Sequence, residues 1–279
     1  STAVRVSVPN RNFVGPSGAN APKDEHRARR WISADGRYVV FSTPANNLVP
    51  GAITYPEQDR VYLLDRLTRE TTLIANGEEP TISADGRYIA FASEQSDLVM
   101  DDTNEVADIF VYDQTDASLV RVSLSSLGEE ANNESSLPYI AADGQHVVFL
   151  SSASNLTSTP SGSVFVRDLA LGSTTAIATG TGDDPSISAD GRYVAFSSGS
   201  SDLVPDDSNG DKDVFVWDTI LDIVRRVSIS TTNVEANNYS EYPMISDSGN
   251  FVVFVSFATN LIDSVTSASG HIYLHEIGT

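Results

Sequence analysis

A ten-residue phrase recurs five times along the chain and limits the possible fold more than any other feature. Its clearest form is Ile-Ser-Ala-Asp-Gly-Arg-Tyr-Val-Ala-Phe, and the five copies begin at Ile32, Ile82, Ile140, Ile187 and Ile245. A second apolar phrase, such as Asp-Val-Phe-Val-Trp-Asp, follows each copy, and a third, such as Leu-Val-Arg-Val-Ser, follows four of them. A repeat of about 50 residues made of strand-like segments is typical of a propeller or a solenoid.

Each repeat reads as four short antiparallel strands. The Ala-Asp-Gly-Arg step is a tight hairpin turn in which glycine can take a positive φ, at Gly36, Gly86, Gly144 and Gly191. The later phrases are rich in β-branched and aromatic residues or alternate in polarity, which favours strands. The fifth copy lacks the third phrase, but the chain begins with it, at Ala3–Ser7. We therefore predict an all-β, five-bladed β-propeller of four-stranded antiparallel blades, closed when the N-terminal strand joins the C-terminal blade.

The same pattern places the whole chain, residues 1–279, in a single propeller domain. The blades cover approximately residues 27–75, 80–123, 138–178, 185–230 and 243–279, and a strand at 3–8 completes the last one. A chain of this length can bury one core of this size. No run approaches the ~20 apolar residues that span a bilayer, so we expect no membrane insertion.

Composition excludes several classes of site. The chain has no cysteine, which excludes disulfides and thiolate metal centres. Its net charge of −21 argues against nucleic acid, because phosphate recognition needs clustered Lys and Arg. The charge is compatible with calcium, with a cationic partner, or with solubility alone.

The repeated Ile-Ser-Ala-Asp-Gly-Arg-Tyr-Val-Ala-Phe, followed by Asp-Val-Phe-Val-Trp-Asp, resembles the TolB-type propeller repeat of bacterial periplasmic and secreted proteins. The resemblance covers essentially the whole chain and implies a β-propeller fold and a periplasmic or extracellular location. TolB itself has six blades after an α/β domain, whereas this sequence predicts five blades and no such domain. The partners of TolB, the peptidoglycan-associated lipoprotein and colicins, therefore do not carry over.

Acidic loops follow the second strand of the fourth and second repeats. In the fourth repeat the oxygen-bearing residues alternate, as Asp207, Asn209, Asp211 and Asp213. In the second repeat the set is shorter and consists of Asp102, Asn104 and Asp108. Alternating oxygen ligands are the spacing by which one loop wraps around Ca²⁺, so we predict candidate calcium sites in both loops. The alternative is a solvated acidic turn.

The residues just before the first strand of each repeat are expected to converge on the mouth of the central tunnel. Three repeats have a carboxylate there, at Glu79, Asp184 and Glu241. The first repeat has arginines instead, at Arg27, Arg29 and Arg30. This pattern predicts either a ligand pocket, in which an arginine holds an anion bidentately, or an ion-pair network that stabilises the first blade.

Two longer loops enter the third and fifth repeats and share the sequence Glu-Ala-Asn-Asn, at 130–133 and 235–238. Their amides and hydroxyls can present hydrogen-bonding groups to a ligand such as a sugar. They can equally form Asx-turns that satisfy the loop itself.

The sequence contains no Gly-x-Ser-x-Gly elbow and no zinc-binding histidine pair. It therefore favours a non-catalytic binding or scaffold module of an exported bacterial protein, which recognises a protein or glycan at its loop-rich face with calcium ordering the loops. We expect a monomer or a module of a larger chain. The alternative is a polysaccharide hydrolase or lyase with paired carboxylates at the tunnel mouth.

Overall fold

A computed structural model describes residues 30–50, 58–158, 163–177, 182–262 and 269–277. In these residues the regular secondary structure consists of β-strands alone. In chain order the strands are β1 (Tyr38–Thr43), β2 (Arg60–Asp65), β3 (Glu70–Asn76), β4 (Glu78–Ile82), β5 (Tyr88–Ser93), β6 (Asp108–Asp113), β7 (Ser118–Arg121), β8 (Ser135–Ile140), β9 (His146–Ser151), β10 (Val164–Asp168), β11 (Ser173–Ala176), β12 (Asp183–Ile187), β13 (Tyr193–Ser198), β14 (Asp213–Asp218), β15 (Ile223–Arg226), β16 (Ser240–Ile245), β17 (Phe251–Ser256) and β18 (His271–Glu276). Within this part of the chain, no helix has the length and apolar character of a membrane span.

The described strands form five antiparallel sheets that follow one another in chain order. The sheets β4–β7, β8–β11 and β12–β15 have four strands, whereas β1–β3 and β16–β18 have three. In the first sheet, an isolated bridge from Ile32 to Val39 takes the place of the missing strand. The predicted strand at residues 3–8 lies outside the described residues, as do Arg27 and Arg29. The expectation of an all-β chain with four-stranded antiparallel sheets is confirmed.

Consecutive sheets pack face to face through buried apolar side chains. Phe149 and Phe165 of the third sheet stack with ring centroids 5.7 Å apart. They share one apolar cluster with Ala90 and Val111 of the second sheet. Similar clusters join the first sheet to the second, the third to the fourth and the fourth to the fifth. Because both faces of the middle sheets are buried, the central residues of their second and third strands are apolar, as in Ile-Phe-Val of β6 and Val-Ala-Phe of β13.

The hairpin turns between the first two strands of each sheet connect the sheets at one end. Gly144 has a φ of 70°, and a Cβ there would lie 2.4 Å from the Tyr88 ring of the preceding sheet. Glycine is therefore required both by the backbone conformation and by the neighbouring ring. Backbone hydrogen bonds also run between successive turns, for example from the Ala84 N–H to the Ala142 carbonyl at 3.1 Å. These hydrogen bonds hold neighbouring turns together at this end of the molecule.

The fifth sheet has one exposed apolar face. Ile272 is 80% exposed and Leu274 is 67% exposed, and Phe251 and Val253 are also exposed. In the second sheet, the corresponding face packs against the next sheet. The exposed face borders a groove of about 690 Å³ that Trp31 also lines.

Candidate ligand-binding site

In the part of the chain that the structure describes, the loops that enter the first strand of a sheet and the loops that leave the second strand emerge at the end opposite the hairpin turns. Glu79 and Asp184 both lie directly before a proline, with φ of 58° and 50°. Leu137 and Tyr242 occupy the same place in the third and fifth sheets, with φ of 55° and 56°. Each of these residues lies at a register shift in its sheet. The left-handed conformation therefore belongs to a bulge that four sheets share, and not to one site.

Glu79 connects the second sheet to the third. It is buried, and its Oε2 accepts a hydrogen bond from the Leu137 N–H at 2.5 Å. A carboxylate that accepts from a buried backbone N–H satisfies a group that would otherwise be costly to bury. This contact gives Glu79 a structural role.

Asp184 and Glu241 come close to each other where the fourth and fifth sheets meet, and the cation beside them is Lys212. Burial raises the pKa of Glu241, the charge of Lys212 lowers it, and the charge of Asp184 raises it, so that the pKa is raised overall. Lys212 Nζ also lies 2.7 Å from Asp183 Oδ2. Burial lowers the pKa of Lys212, but Asp183 and the neighbouring carboxylates outweigh burial and raise it overall.

Lys212 was not singled out from the sequence. A signal was present, because it is one of only two lysines in the chain and it interrupts an acidic loop.

Arg30 forms an ion pair with Asp247 and a hydrogen bond with Tyr139. Burial lowers the pKa of Arg30, but both partners raise it, and the net effect is a raised pKa. Asp247 belongs to the hairpin turn of the fifth sheet. Arg30 thus connects the start of the first sheet to the third and fifth sheets. The ion-pair partner described for Arg30 is thus Asp247, whereas the sequence pointed to Glu79, Asp184 and Glu241.

The acidic loop of the second sheet surrounds an arginine. Arg121 Nη1 lies 2.9 Å from Glu130 Oε1 and 3.4 Å from one oxygen each of Asp102 and Asp108. The Ser123 hydroxyl donates to Asp108 as well. The side chains of Asp102 and Asp108 are almost completely buried, at 2% and 0% exposure. Arg121 therefore holds the loop between β5 and β6 to the loop entering the third sheet.

The fourth sheet repeats this arrangement. Arg226 Nη1 lies 2.8 Å from Glu235, 3.2 Å from Asp213 and 3.4 Å from Asp207. The side-chain amide of Asn209 donates to Asp213 at 3.1 Å.

Asn104 donates to Asp108 in the same way, at 2.9 Å. Each asparagine therefore turns an N–H, and not its oxygen, towards the carboxylate. Asp211 contributes a backbone N–H to Asn209 Oδ1 at 2.7 Å, which closes the turn. Four of the residues predicted as calcium ligands therefore come together in two pairs. Asp102 and Asp108 converge on Arg121, and Asp207 and Asp213 converge on Arg226.

The electrostatics of these two clusters follow from their burial. Burial raises the pKa of four aspartates, Asp102, Asp108, Asp207 and Asp213. A hydrogen bond from Ser208 lowers the pKa of Glu235. Burial would raise the pKa of Glu130, but hydrogen bonds from Thr103 and the charge of Arg121 outweigh it and lower the pKa.

With all groups ionised, three carboxylates and one guanidinium leave each cluster with a net charge of −2. Asp102 Oδ1 and Asp207 Oδ2 are buried and accept no hydrogen bond. Carboxylate oxygens of Asp102, Asp108 and Glu130 lie within 4.8 Å of one another, close enough to share one cation.

No protein-family model and no curated protein matches the sequence. Among solved structures, one described as TolB from Agrobacterium tumefaciens matches with a TM-score of 0.54 at 17% identity, covering 90% of this chain and 76% of that one. The β-propeller domain of the Trilobed protease from Pyrococcus furiosus matches with a TM-score of 0.54 at 13% identity, covering 90% and 67%. TolB from Acinetobacter baumannii matches with a TM-score of 0.48 at 17% identity, covering 82% of this chain and 48% of that one, about half its length.

Identities this low carry information on the fold alone. The two matches with the higher TM-scores extend over nine-tenths of the chain. They agree with the succession of antiparallel sheets and with the repeat from which the resemblance was drawn. The chain has the fold of a TolB-like β-propeller.

Proposed function

We propose that the chain is a non-catalytic binding module built on a closed, five-bladed propeller. Residues 3–8 would pair with β18 and supply the fourth strand of the fifth sheet, because they carry the third phrase that this repeat lacks. The exposed apolar face of the fifth sheet supports closure, since a sheet face of this kind is otherwise buried in the series.

A pattern in the hairpin turns supports the same closure. The glycine in each later turn lies against a ring of the preceding sheet, as Gly86 does against Tyr38 and Gly249 against Tyr193. Gly36 is the remaining glycine, and it has the same positive φ of 70°. Phe251 is the remaining ring, and it is 39% exposed. In a closed ring these two would meet.

The function assigned to this ring is recognition of a protein or glycan at the loop-rich end. The observation that carries it is the group formed by Asp184, Lys212 and Glu241, where three ionisable side chains from two sheets influence one another. The loops at this end differ from sheet to sheet, whereas the hairpin turns repeat one sequence, which supports a ligand at the loop-rich end. From the resemblance, the module belongs to an exported protein, periplasmic or extracellular, as a monomer or as part of a larger chain.

The test is binding to a combined array of glycans and peptides by the wild-type protein and by the double variant Lys212→Ala, Glu241→Gln. We expect the variant to lose the array signal while its unfolding midpoint stays that of the wild type. Arg87→Ala is the matched control, because it removes an exposed ion pair with Asp113 and lies at the end with the hairpin turns. A signal that survives in the double variant places the binding surface elsewhere.

One observation favours a second candidate, a polysaccharide hydrolase or lyase. A carboxyl group with a raised pKa beside a second carboxylate is the arrangement of a general acid and its partner, and Glu241 with Asp184 has that character. Release of reducing or unsaturated sugar by the wild type, abolished in Glu241→Gln and in Asp184→Asn, would support it. Polysaccharide binding without any product supports the binding module.

Calcium is the third part of the proposal. The candidate ligands in the second sheet are now Asp102, Asp108 and Glu130, with Arg121 retained beside them. A divalent cation would neutralise the remaining charge of each cluster and hold two loops of the binding end together.

A further inference from the structure

The loops that enter the third and fifth sheets have the same internal hydrogen bonds. The Asn132 N–H donates to Asn155 Oδ1 at 3.0 Å, and the Asn237 N–H donates to Asn260 Oδ1 at 3.0 Å. The side-chain amides of the two accepting asparagines also correspond. The Asn155 amide donates to the Glu130 carbonyl, and the Asn260 amide donates to the Glu235 carbonyl. The asparagines therefore satisfy their own loops, and both loops reach the same conformation.

One of the differences between the two loops is a pair of side chains that lie together. In the third sheet the Ser152 N–H donates to the Glu134 carbonyl at 3.0 Å, and in the fifth the Phe257 N–H donates to the Tyr239 carbonyl at 3.0 Å. Glutamate and serine thus occupy in one sheet the positions that tyrosine and phenylalanine occupy in the other. The fold accepts the polar pair, so the loop conformation does not require the aromatic pair.

The aromatic pair presents a flat ring to the outside. The Tyr239 and Phe257 rings stack with centroids 4.3 Å apart and an interplanar angle of 24°. Phe257 is backed by Gly270, where a Cβ would lie 3.0 Å from the ring. Tyr239 is the outer ring and is 37% exposed. A large aromatic ring held rigidly in this way can contribute binding area at little cost in conformational entropy.

Residues with charged side chains lie near Tyr239 along the backbone. The Ser240 N–H donates to the Lys212 carbonyl at 2.6 Å, so Tyr239 lies next in the chain to a residue bonded to Lys212. The Lys212 side chain forms an ion pair with Asp183. Glu241 lies two residues after Tyr239 in the sequence.

In the third sheet the corresponding N–H of Ser135 donates to the carbonyl of Ala107, and Ser136 takes the place of Glu241. The charged residues around Lys212 and the Tyr239–Phe257 pair therefore occur together at the fifth sheet. The third sheet has neither of them.

From this combination we infer that a neutral glycan binds at the loop-rich end, with one sugar ring stacked on Tyr239. A sugar ring has an apolar C–H face and a rim of hydroxyls, which suits an exposed aromatic ring with carboxylate and ammonium residues close by in the backbone. Asp183, Asp184 and Glu241 outnumber Lys212, so the site disfavours anionic sugars. The inference rests on the proposed function and names the class of its ligand.

The test is calorimetric titration of the full chain with three neutral hexasaccharides, cellohexaose, xylohexaose and mannohexaose, and with hexagalacturonate as the anionic probe. We expect at least one neutral probe to bind with roughly millimolar or tighter affinity, and hexagalacturonate to bind more weakly. The double variant Tyr239→Glu, Phe257→Ser, which copies the third sheet, should weaken binding about tenfold or more. Its unfolding midpoint should match the wild type, since the third sheet folds with these residues.

The matched control is Glu134→Ala with Ser152→Ala, which changes the equivalent place in the third sheet and should leave the affinity unchanged. The inference is overturned if no neutral hexasaccharide binds, if hexagalacturonate binds more tightly, or if the Tyr239 and Phe257 variant binds as well as the wild type. A peptide signal that depends on Lys212 and Glu241 but not on Tyr239 overturns this inference and leaves the proposed function intact. If the wild-type protein gives no signal with any glycan or peptide of the array, both this inference and the proposed function are overturned.

Discussion

His146 replaces a tyrosine that the first, second and fourth sheets carry at this position. There, an arginine lies over the tyrosine ring and pairs with an aspartate, as Arg87 does over Tyr88 and with Asp113. In the third sheet the imidazole of His146 replaces both the tyrosine ring and the cation that pairs with the aspartate. Its Nδ1 lies 2.8 Å from Asp143 and its Nε2 lies 3.7 Å from Asp168. The hydrogen bond with Asp143 raises the pKa of His146, although burial opposes it.

The raised pKa of His146 predicts a pH dependence of stability. A folded-state pKa above the unfolded value of about 6.5 means that protonated His146 contributes fully below that pH. The contribution is lost as the pH rises through the raised folded-state pKa. Urea unfolding at a series of pH values should therefore show wild type losing stability above about pH 6.5 relative to His146→Gln. Parallel curves for the two proteins would show that the ion pair makes no net contribution.

Calcium binding is testable on the two arginine-centred clusters. Addition of Ca²⁺ to chelator-treated protein should raise the melting temperature by roughly 5 °C or more at saturating ion, because the ligand binds the folded state alone. The double variant Asp102→Asn, Asp207→Asn should abolish the shift. Asp211→Asn is the control and should keep it, since the contact described for Asp211 is made by its backbone. An unchanged melting temperature of the wild type at saturating Ca²⁺ would contradict calcium binding at these clusters.

At this scale the sequence predicted half of each cluster. The aspartates were visible because they alternate within one loop. Arg121 and Glu130 lie in other segments, and pairing across segments depends on how strands and loops meet in space. A signal existed in hindsight, because the same arginine and glutamate recur in the fourth sheet as Arg226 and Glu235.

Among the structural elements, the hairpin turn combines a backbone requirement with a packing requirement, and substitutions can separate them. Gly144→Ala adds a Cβ at positive φ and drives it into the Tyr88 ring. We expect a loss of about 3 kcal/mol in the free energy of unfolding, from backbone strain together with overpacking. Gly128 also has a positive φ, 81°, but has open space around it. Gly128→Ala should therefore lose only about 1–2 kcal/mol.

Urea unfolding of both variants measures the difference directly. Equal losses for Gly144→Ala and Gly128→Ala would mean that the neighbouring ring moves aside and that the contact between sheets does not constrain the turn.

Strands and turns followed the sequence closely, because alternation, β-branched residues and Ala-Asp-Gly turns act locally. The bulge before each proline could not be predicted from the sequence. A residue before proline favours extended backbone, yet Glu79, Leu137, Asp184 and Tyr242 are left-handed. The contact of Glu79 with Leu137 in the next sheet shows one tertiary hydrogen bond that accompanies this conformation.

At the scale of the whole molecule, the repeat predicted a propeller because each unit can bury its faces only against neighbouring units. The arrangement of charged groups at the loop-rich end could not be predicted in the same way. It depends on which loops from different sheets come together, and the structure brings Lys212 to Asp184 and Glu241 while it pairs Arg30 with Asp247.

We propose that the sheets form a ring closed by the N-terminal strand, and the lack of cysteine in the sequence makes this closure directly testable. In the second sheet Leu119 lies opposite Tyr112, and in the fourth Val224 lies opposite Trp217. The same register would place Ala3 opposite His275.

The measurement is disulfide formation in the double variant Ala3→Cys, His275→Cys under mild oxidation. Closure predicts a disulfide within one chain, seen as faster migration on a non-reducing gel. Ala3→Cys with Leu274→Cys is the control and should not form it, because neighbouring residues of a strand point to opposite faces. A variant that stays reduced, or that forms only disulfide-linked dimers, would contradict the closed ring.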